Sequence, residues 1–216
     1  MKTDFCAWRA GARYYVPLLV IGGLGLVLGW PGPFAWLGGV ALLAGLASLG
    51  FFRDPPRPLT AQVNEAVAPA DGKIVAVDEL EDSAHFPGPC QRVTIFLSIL
   101  DVHVNRAPLA GTVREVRFHP GLFLNALDDR SSEENESNTV LLDTAYGPVG
   151  VRQISGLIAR TIVCAAKEGD SLVQGQRFGM IKFGSRTELY LPPEAEIVVE
   201  RSAKVKAGRT IMARLP

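Results

Sequence analysis

The sequence changes character at Arg53-Asp-Pro-Pro-Arg-Pro58, and what lies on either side of that stretch decides the fold. Its prolines remove backbone donors and push each preceding residue into extended conformations. The stretch therefore cannot be helical and reads as a stiff, charged linker. Upstream, residues 16–30 and 34–52 are almost unbroken apolar runs of 15 and 19 residues that carry no charge. As helices at ~1.5 Å per residue they reach about 22 and 28 Å. The first is short and the second nearly adequate for a hydrocarbon layer of about 30 Å. Pro31-Gly32-Pro33 separates them, a break that no helix crosses. Lys2, Arg9 and Arg13 precede the first run, Arg53 and Arg57 follow the second, and the turn carries no positive charge. The positive-inside rule then puts both ends in the cytoplasm. No small-x-small cleavage site precedes the second run, so a removable leader does not account for the pattern. The expectation is a hydrophobic helical hairpin at the membrane, spanning or re-entrant, with its linker over residues 1–57.

Downstream the pattern becomes short β-type runs punctuated by glycine and proline, over residues 73–78, 92–99, 111–118, 138–142, 149–154, 157–163, 187–191 and 196–200. Runs of this length with turn signals between them predict a mainly β barrel or sandwich over residues 58–216. Ala70-Asp-Gly-Lys-Ile-Val-Ala-Val77 and Ala110-Gly-Thr-Val-Arg-Glu-Val116 each place a glycine before an alternating strand. A third glycine-marked hairpin, Gly169-Asp-Ser-Leu-Val-Gln-Gly175, has a pattern that recurs in lipoyl- and biotinyl-type carrier domains. One segment breaks the β pattern. Asp128-Asp-Arg-Ser-Ser-Glu-Glu-Asn-Glu-Ser-Asn138 is polar and acidic, and it reads first as a solvated loop, second as a lid or the edge of a site.

Composition excludes several function classes. With 22 basic and 22 acidic side chains the chain has no net basic field to draw nucleic acid. Cys6, Cys90 and Cys164 are odd in number and scattered, which argues against a disulfide framework and for a reducing compartment. Neither they nor His85, His103 and His119 have metal-ligand spacing, so no catalytic metal is expected.

The residues with reactive potential centre on Gly184–Ser185, in the run Gly179-Met-Ile-Lys-Phe-Gly-Ser-Arg-Thr-Glu-Leu-Tyr-Leu-Pro192. Gly184 has no Cβ and tolerates unusual backbone angles, so the Ser185 hydroxyl can attack the carbonyl before it. Such a serine needs a base, and the base an orienting acid. His103 is the candidate base: it follows an apolar strand in Phe96-Leu-Ser-Ile-Leu-Asp-Val-His-Val-Asn-Arg-Ala-Pro108, among the polar neighbours Asp101, Asn105 and Arg106. His85 and His119 lie beside loop prolines and read as surface positions. For the acid, Asp71 occupies the tight turn Ala68-Pro-Ala-Asp-Gly72, while Asp101 shares a strand face with His103 if that strand continues.

Together, Gly184–Ser185 in its Phe-Gly-Ser context, His103 after Leu-Asp-Val, Asp71 in Pro-Ala-Asp-Gly and the asparagine-bearing loop ending at Asn138 resemble the phosphatidylserine decarboxylase proenzymes. The resemblance is to the short bacterial and archaeal form and covers the chain from about residue 50. It implies a body related to lipoyl-type domains and a pyruvoyl cofactor made from Ser185 by self-cleavage. The products would be a β chain of residues 1–184 and an α chain of residues 185–216, forming a heterodimer that can assemble further. The pyruvoyl group would form a Schiff base with phosphatidylserine, and loss of carbon dioxide would give phosphatidylethanolamine. His103 would be the general base, oriented by Asp71. Longer members carry a second histidine where this chain has Arg106; an arginine cannot serve as a base but can hold a phosphate or carboxylate. Arg106, Lys182 and Arg186 are the head-group candidates, and the inner cell membrane, with the β body on its cytoplasmic side, is the implied location.

Two other classes compete. A membrane-anchored carrier would use Lys182 as a modified lysine, but a carrier lysine belongs at a hairpin tip and Lys182 lies in an apolar strand. A serine peptidase or acyltransferase would keep its chain intact and place its nucleophile in Gly-x-Ser-x-Gly, which is absent here.

Overall fold

A computed structural model describes residues 5–128, 130–157, 161–182 and 185–216. The chain divides into two compact units, one of residues 6–55 and one running from residue 56 to the C-terminus.

The first unit is two helices, α1 (Ala7–Gly29) and α2 (Phe34–Phe51). The apolar run suggested that the first helix begins near Val16. Instead α1 begins nine residues earlier, because Trp8-Arg-Ala-Gly-Ala-Arg-Tyr-Tyr15 contains no proline and a single glycine, even though it is not uniformly apolar. At 23 residues α1 is about 34 Å long and α2, at 18, about 27 Å. Both helices are therefore long and apolar enough to cross a membrane. They pack through small residues: a Cβ on Gly38 would lie 2.6 Å from the Gly25 carbonyl carbon, so glycine is required for this approach. Their outer faces expose large apolar side chains such as Val27, Leu28, Trp36 and Leu37.

The second unit is mainly β, as the short alternating runs predict. Its strands among the described residues are β1 (Glu65–Val67), β2 (Gly72–Leu80), β3 (Cys90–Leu97), β4 (Val104–Arg106), β5 (Gly111–His119), β6 (Ser137–Thr144) and β7 (Gly147–Ile154). There follow β8 (Ile162–Cys164), β9 (Ser171–Leu172), β10 (Arg177–Ile181), β11 (Ser185–Leu191), β12 (Glu196–Ile197), β13 (Lys204–Val205) and β14 (Ile211–Arg214). A curled eight-stranded antiparallel sheet runs β13-β2-β3-β11-β7-β6-β5-β9, and two three-stranded sheets run β1-β14-β12 and β4-β10-β8. One face of the large sheet closes the core through Ile74, Val93, Ile95, Val140, Val151, Leu189 and Leu191, joined by Phe178 and Met212. Fully burying each such side chain contributes about 1.5–3 kcal/mol. Of the expected strand over 157–163, residues 158–160 lie outside the described residues, Leu157 is exposed, and Ile162 and Val163 pair with β10. That over 196–200 pairs only at Glu196 and Ile197.

The polar segment before β6 is not a solvated loop. It forms a single helical turn, α3 (Ser131–Glu134), and Ser131, Ser132, Asn135, Ser137 and Asn138 are all buried. Apart from Ser131, whose Oγ has no partner among the described residues, their short polar side chains find partners inside. Asn135 bonds the Leu124 backbone in both directions and donates to the Ser155 carbonyl at 2.9 Å.

Candidate active site

β11 lies at the centre of the large sheet, between β3 and β7, with Ser185 opposite Leu97 and Arg186 opposite both Phe96 and Ile154. This register gathers several chain segments at one end of the sheet. Ser185 opens β11, Leu97 closes β3, and Lys73, opposite Phe96, puts the Asp71–Gly72 turn beside them. Gly72 has φ of +150° and a Cβ there would collide with the Phe96 carbonyl oxygen, so the turn needs glycine. On the same end β7 finishes at Ile154 and β6 starts at Ser137, opposite it.

The Ser185 side chain lies on the core face and is fully buried, and its Oγ has no hydrogen-bond partner among the described residues. An unsatisfied buried hydroxyl costs about 1–3 kcal/mol; the Ser131 and Ser155 hydroxyls are also without partners among the described residues, but only Ser185 directly follows a glycine in the sequence. Gly184, the other half of the expected cleavage pair, lies outside the described residues.

His103 is fully buried immediately before β4, and its backbone carbonyl accepts from Ile181 N–H at 3.2 Å, at the end of β10. Only residues 182–184 separate that contact from Ser185. The His103 Nδ1 is 2.9 Å from the Asp101 carbonyl oxygen. A carbonyl only accepts, so in the neutral imidazole Nδ1 carries the proton and Nε2 holds the basic lone pair. The Asp101 carboxylate is occupied elsewhere, accepting from Ser98 N–H and Oγ at 2.8 and 2.7 Å.

Asp71 is held by three donors. Arg57 Nη1 and Nη2 donate to its two oxygens at 2.5 and 2.7 Å, and Ala207 N–H adds a bond of 2.8 Å. The Arg57 and Asp71 side chains are only 7 % and 10 % exposed. Arg57, read as part of a solvent-facing linker, is therefore an internal anchor for this carboxylate. The turn carrying Asp71 is tied to β4, since Pro69 O accepts from Arg106 N–H at 2.9 Å.

The three head-group candidates are all buried. Arg106 donates to the Gly175 carbonyl at 3.1 Å, and Lys182 N–H donates to Thr161 O at 3.1 Å. Arg186 lies on the sheet face opposite Ser185 and donates to Ser132 Oγ at 2.6 Å. Lys182, nearly fully buried, is not at an exposed hairpin tip, which removes the main support for a carrier.

Two polar clusters flank β11, and neither was singled out in the sequence. On the core face, Asn105 Nδ2 donates to Thr187 Oγ1 at 3.2 Å, Gln153 Nε2 to Asn105 Oδ1 at 2.9 Å, and Asn138 Nδ2 to Gln153 Oε1 at 3.1 Å. On the opposite face, Glu188 accepts from Ser132 Oγ and Tyr190 Oη, each at 2.6 Å, and from Arg152 Nη1 at 3.4 Å. Glu188 and Arg152 are both fully buried. Burial and the adjacent Glu188 charge push the Tyr190 phenol far up from its ordinary range. The available signal was a charge or amide breaking an apolar strand, as Arg152-Gln153 and Glu188 do; such residues must be paired once buried.

The mainly β body thus carries a buried serine at the start of its central strand and an anchored carboxylate in the neighbouring turn, and the same chain carries an apolar helical pair. A family profile described as phosphatidylserine decarboxylase matches residues 46–213, and the chain belongs to that family, whose members are lyases. It is similar to a phosphatidylserine decarboxylase proenzyme of Gluconacetobacter diazotrophicus, 49 % identical over 195 residues, 88 % of this chain and 86 % of the relative. Proenzymes of the same description from Carboxydothermus hydrogenoformans and Magnetococcus marinus are 42 % and 40 % identical over 216 residues, all of this chain and 99 % and 98 % of theirs.

Proposed function

We propose that the chain decarboxylates phosphatidylserine to phosphatidylethanolamine after cutting itself between Gly184 and Ser185. The observation that carries this reading is the buried, unpartnered Ser185 Oγ at the start of the central strand. Ser185 Oγ attacks the Gly184 carbonyl and displaces the Ser185 nitrogen, giving an ester. Elimination across the Ser185 Cα–Cβ bond releases the Gly184 carboxylate and leaves dehydroalanine. Addition of water and loss of ammonia convert this to a pyruvoyl group at the head of the 185–216 chain. That group supplies an electrophilic carbonyl able to draw electrons from an amine-bearing carboxylate. The buried Ser185 position fits it, since the products remain tied through the β3–β11–β7 ladder.

His103, with Nε2 as its basic nitrogen, removes the Ser185 proton and later donates one to the decarboxylated carbon. Asp71, fixed by Arg57 and Ala207, is the acidic partner that orients the site. Arg106 and Lys182 hold the phosphate and carboxylate of the head group, whereas Arg186, on the opposite sheet face and bonded to Ser132 Oγ, is turned away from the Ser185 side chain. The two helices keep the chain at the inner cell membrane, and the basic flanks Arg9, Arg13, Arg53 and Arg57 support a cytoplasmic β body.

The test is turnover of phosphatidylserine vesicles by purified full-length protein, followed as carbon dioxide and phosphatidylethanolamine. Wild type should form both, whereas Ser185→Ala should form neither and remain a single chain. Equal activity of Ser185→Ala and wild type would overturn the proposal.

A further inference from the structure

The sheet end that carries Ser185 is also where the body exposes its apolar side chains. Of the eleven large hydrophobics exposed among the described residues of the second unit, five lie on segments that leave the sheet at this end: Ile99, Leu100, Leu122, Leu127 and Leu157. The register places these segments there. Residues 98–103 follow Leu97, which is opposite Ser185; Leu157 follows Ile154, opposite Arg186; and residues 120–128 follow His119, opposite Ser137. Leu100 is 82 % exposed and the other four are 50–59 % exposed.

These side chains stand on well-ordered backbone. The turn bearing Ile99 and Leu100 is closed by Asp101 N–H to Ser98 O at 3.0 Å and by both Ser98 bonds to the Asp101 carboxylate. Leu122 is bridged by its N–H to Glu134 O and by Glu136 N–H to its own carbonyl, at 2.7 and 2.9 Å. Leu127 N–H is held by Asn125 Oδ1. Polar groups thus fix the loops while leucines face outward, and exposed apolar clusters of this kind mark interaction sites.

The geometry points to a bilayer as the occupant: this rim dips into the lipid interface around the site, so that the head group meets Ser185 without leaving the membrane. The inference rests on the decarboxylase reading for its choice of partner, because a lipid whose reacting amine and carboxylate lie at the bilayer surface requires this sheet end to face lipid. Glu133 and Glu134 are exposed on the same segment, so charge attraction to anionic lipid does not drive the docking. The apolar side chains do, and docking is insensitive to added salt.

The experiment uses full-length protein reconstituted in vesicles, with two readouts. Leu100→Trp adds emission over that of Trp8, Trp30 and Trp36, and brominated phosphatidylcholine should quench the added emission at low and high salt alike. Unquenched added emission would overturn the docking. Leu100→Asp and Leu127→Asp, on separate segments, should each raise the apparent KM for vesicle phosphatidylserine at least ~10-fold. Turnover of a monomeric short-chain phosphatidylserine should be unchanged in both. Equal loss on both substrates, or on neither, would overturn the inference. Quenching of the Leu100→Trp signal in a protein that converts neither substrate would leave the docking standing and overturn the decarboxylase reading.

Discussion

The two faces of β11 are both polar near Ser185, yet they are built from opposite chemistry. The core face carries neutral groups, with Thr187, Asn105, Gln153 and Asn138 linked by amide and hydroxyl bonds around an unpartnered serine. The other face carries buried charge, with Glu188 gripped by Arg152, Ser132 and Tyr190. A neutral tier puts no charged side chain beside Ser185 on that face of β11. An ionic tier, by contrast, is severely destabilised when one partner is lost, and it therefore holds the strand in place. On the proposed function, the neutral face carries the chemistry and the ionic face the anchorage.

The largest expected effect is on the ionic face. Arg152→Met leaves Glu188 buried beside one fewer cation, and denaturant melts should show a loss of about 3–5 kcal/mol. Below its lowered melting temperature this variant should still cut itself, and loss of cutting in folded protein would erase the division of labour. Tyr190→Phe removes one short bond to a buried carboxylate, a loss of about 1.5–3 kcal/mol. It also has a pH signature. The folded-state pKa of Tyr190 is raised, so its contribution is complete below the unfolded value of about 10 and fades as pH rises beyond it. Wild-type stability should fall above about pH 10, and Tyr190→Phe should flatten that slope. The smallest stability change is on the neutral face. Thr187→Val removes the Asn105 acceptor and should cost about 1 kcal/mol, yet it should slow self-cleavage several-fold, measured as the fraction of intact chain with time. A Thr187→Val protein with normal cleavage would break the comparison from the other side.

What could be read from the sequence depended on length and on locality. The runs behind β2, β3, β5, β6, β7 and β11 extend over five or more residues between turn signals, so the strands themselves, though not their partners, were legible. β1, β4, β9, β12 and β13 have two or three residues each, and tertiary partners alone make them strands. Ser185, His103 and Asp71 stood out because local chemistry marks them. Arg57 and Glu188 did not stand out, since their meaning depends on Asp71, 14 positions from Arg57, and on Arg152 and Ser132, 36 and 56 positions from Glu188. The serines and asparagines before β6 looked solvated for the same reason: composition does not reveal that short polar side chains will be satisfied inside.

The account turns on Ser185 becoming the head of a second chain. Intact mass spectrometry of active protein under denaturing conditions tests this most directly. The expected result is two polypeptides, residues 1–184 and 185–216, the smaller lacking a free amino terminus and resistant to Edman degradation. A single uncut chain of 216 residues in a preparation that turns over phosphatidylserine would contradict it.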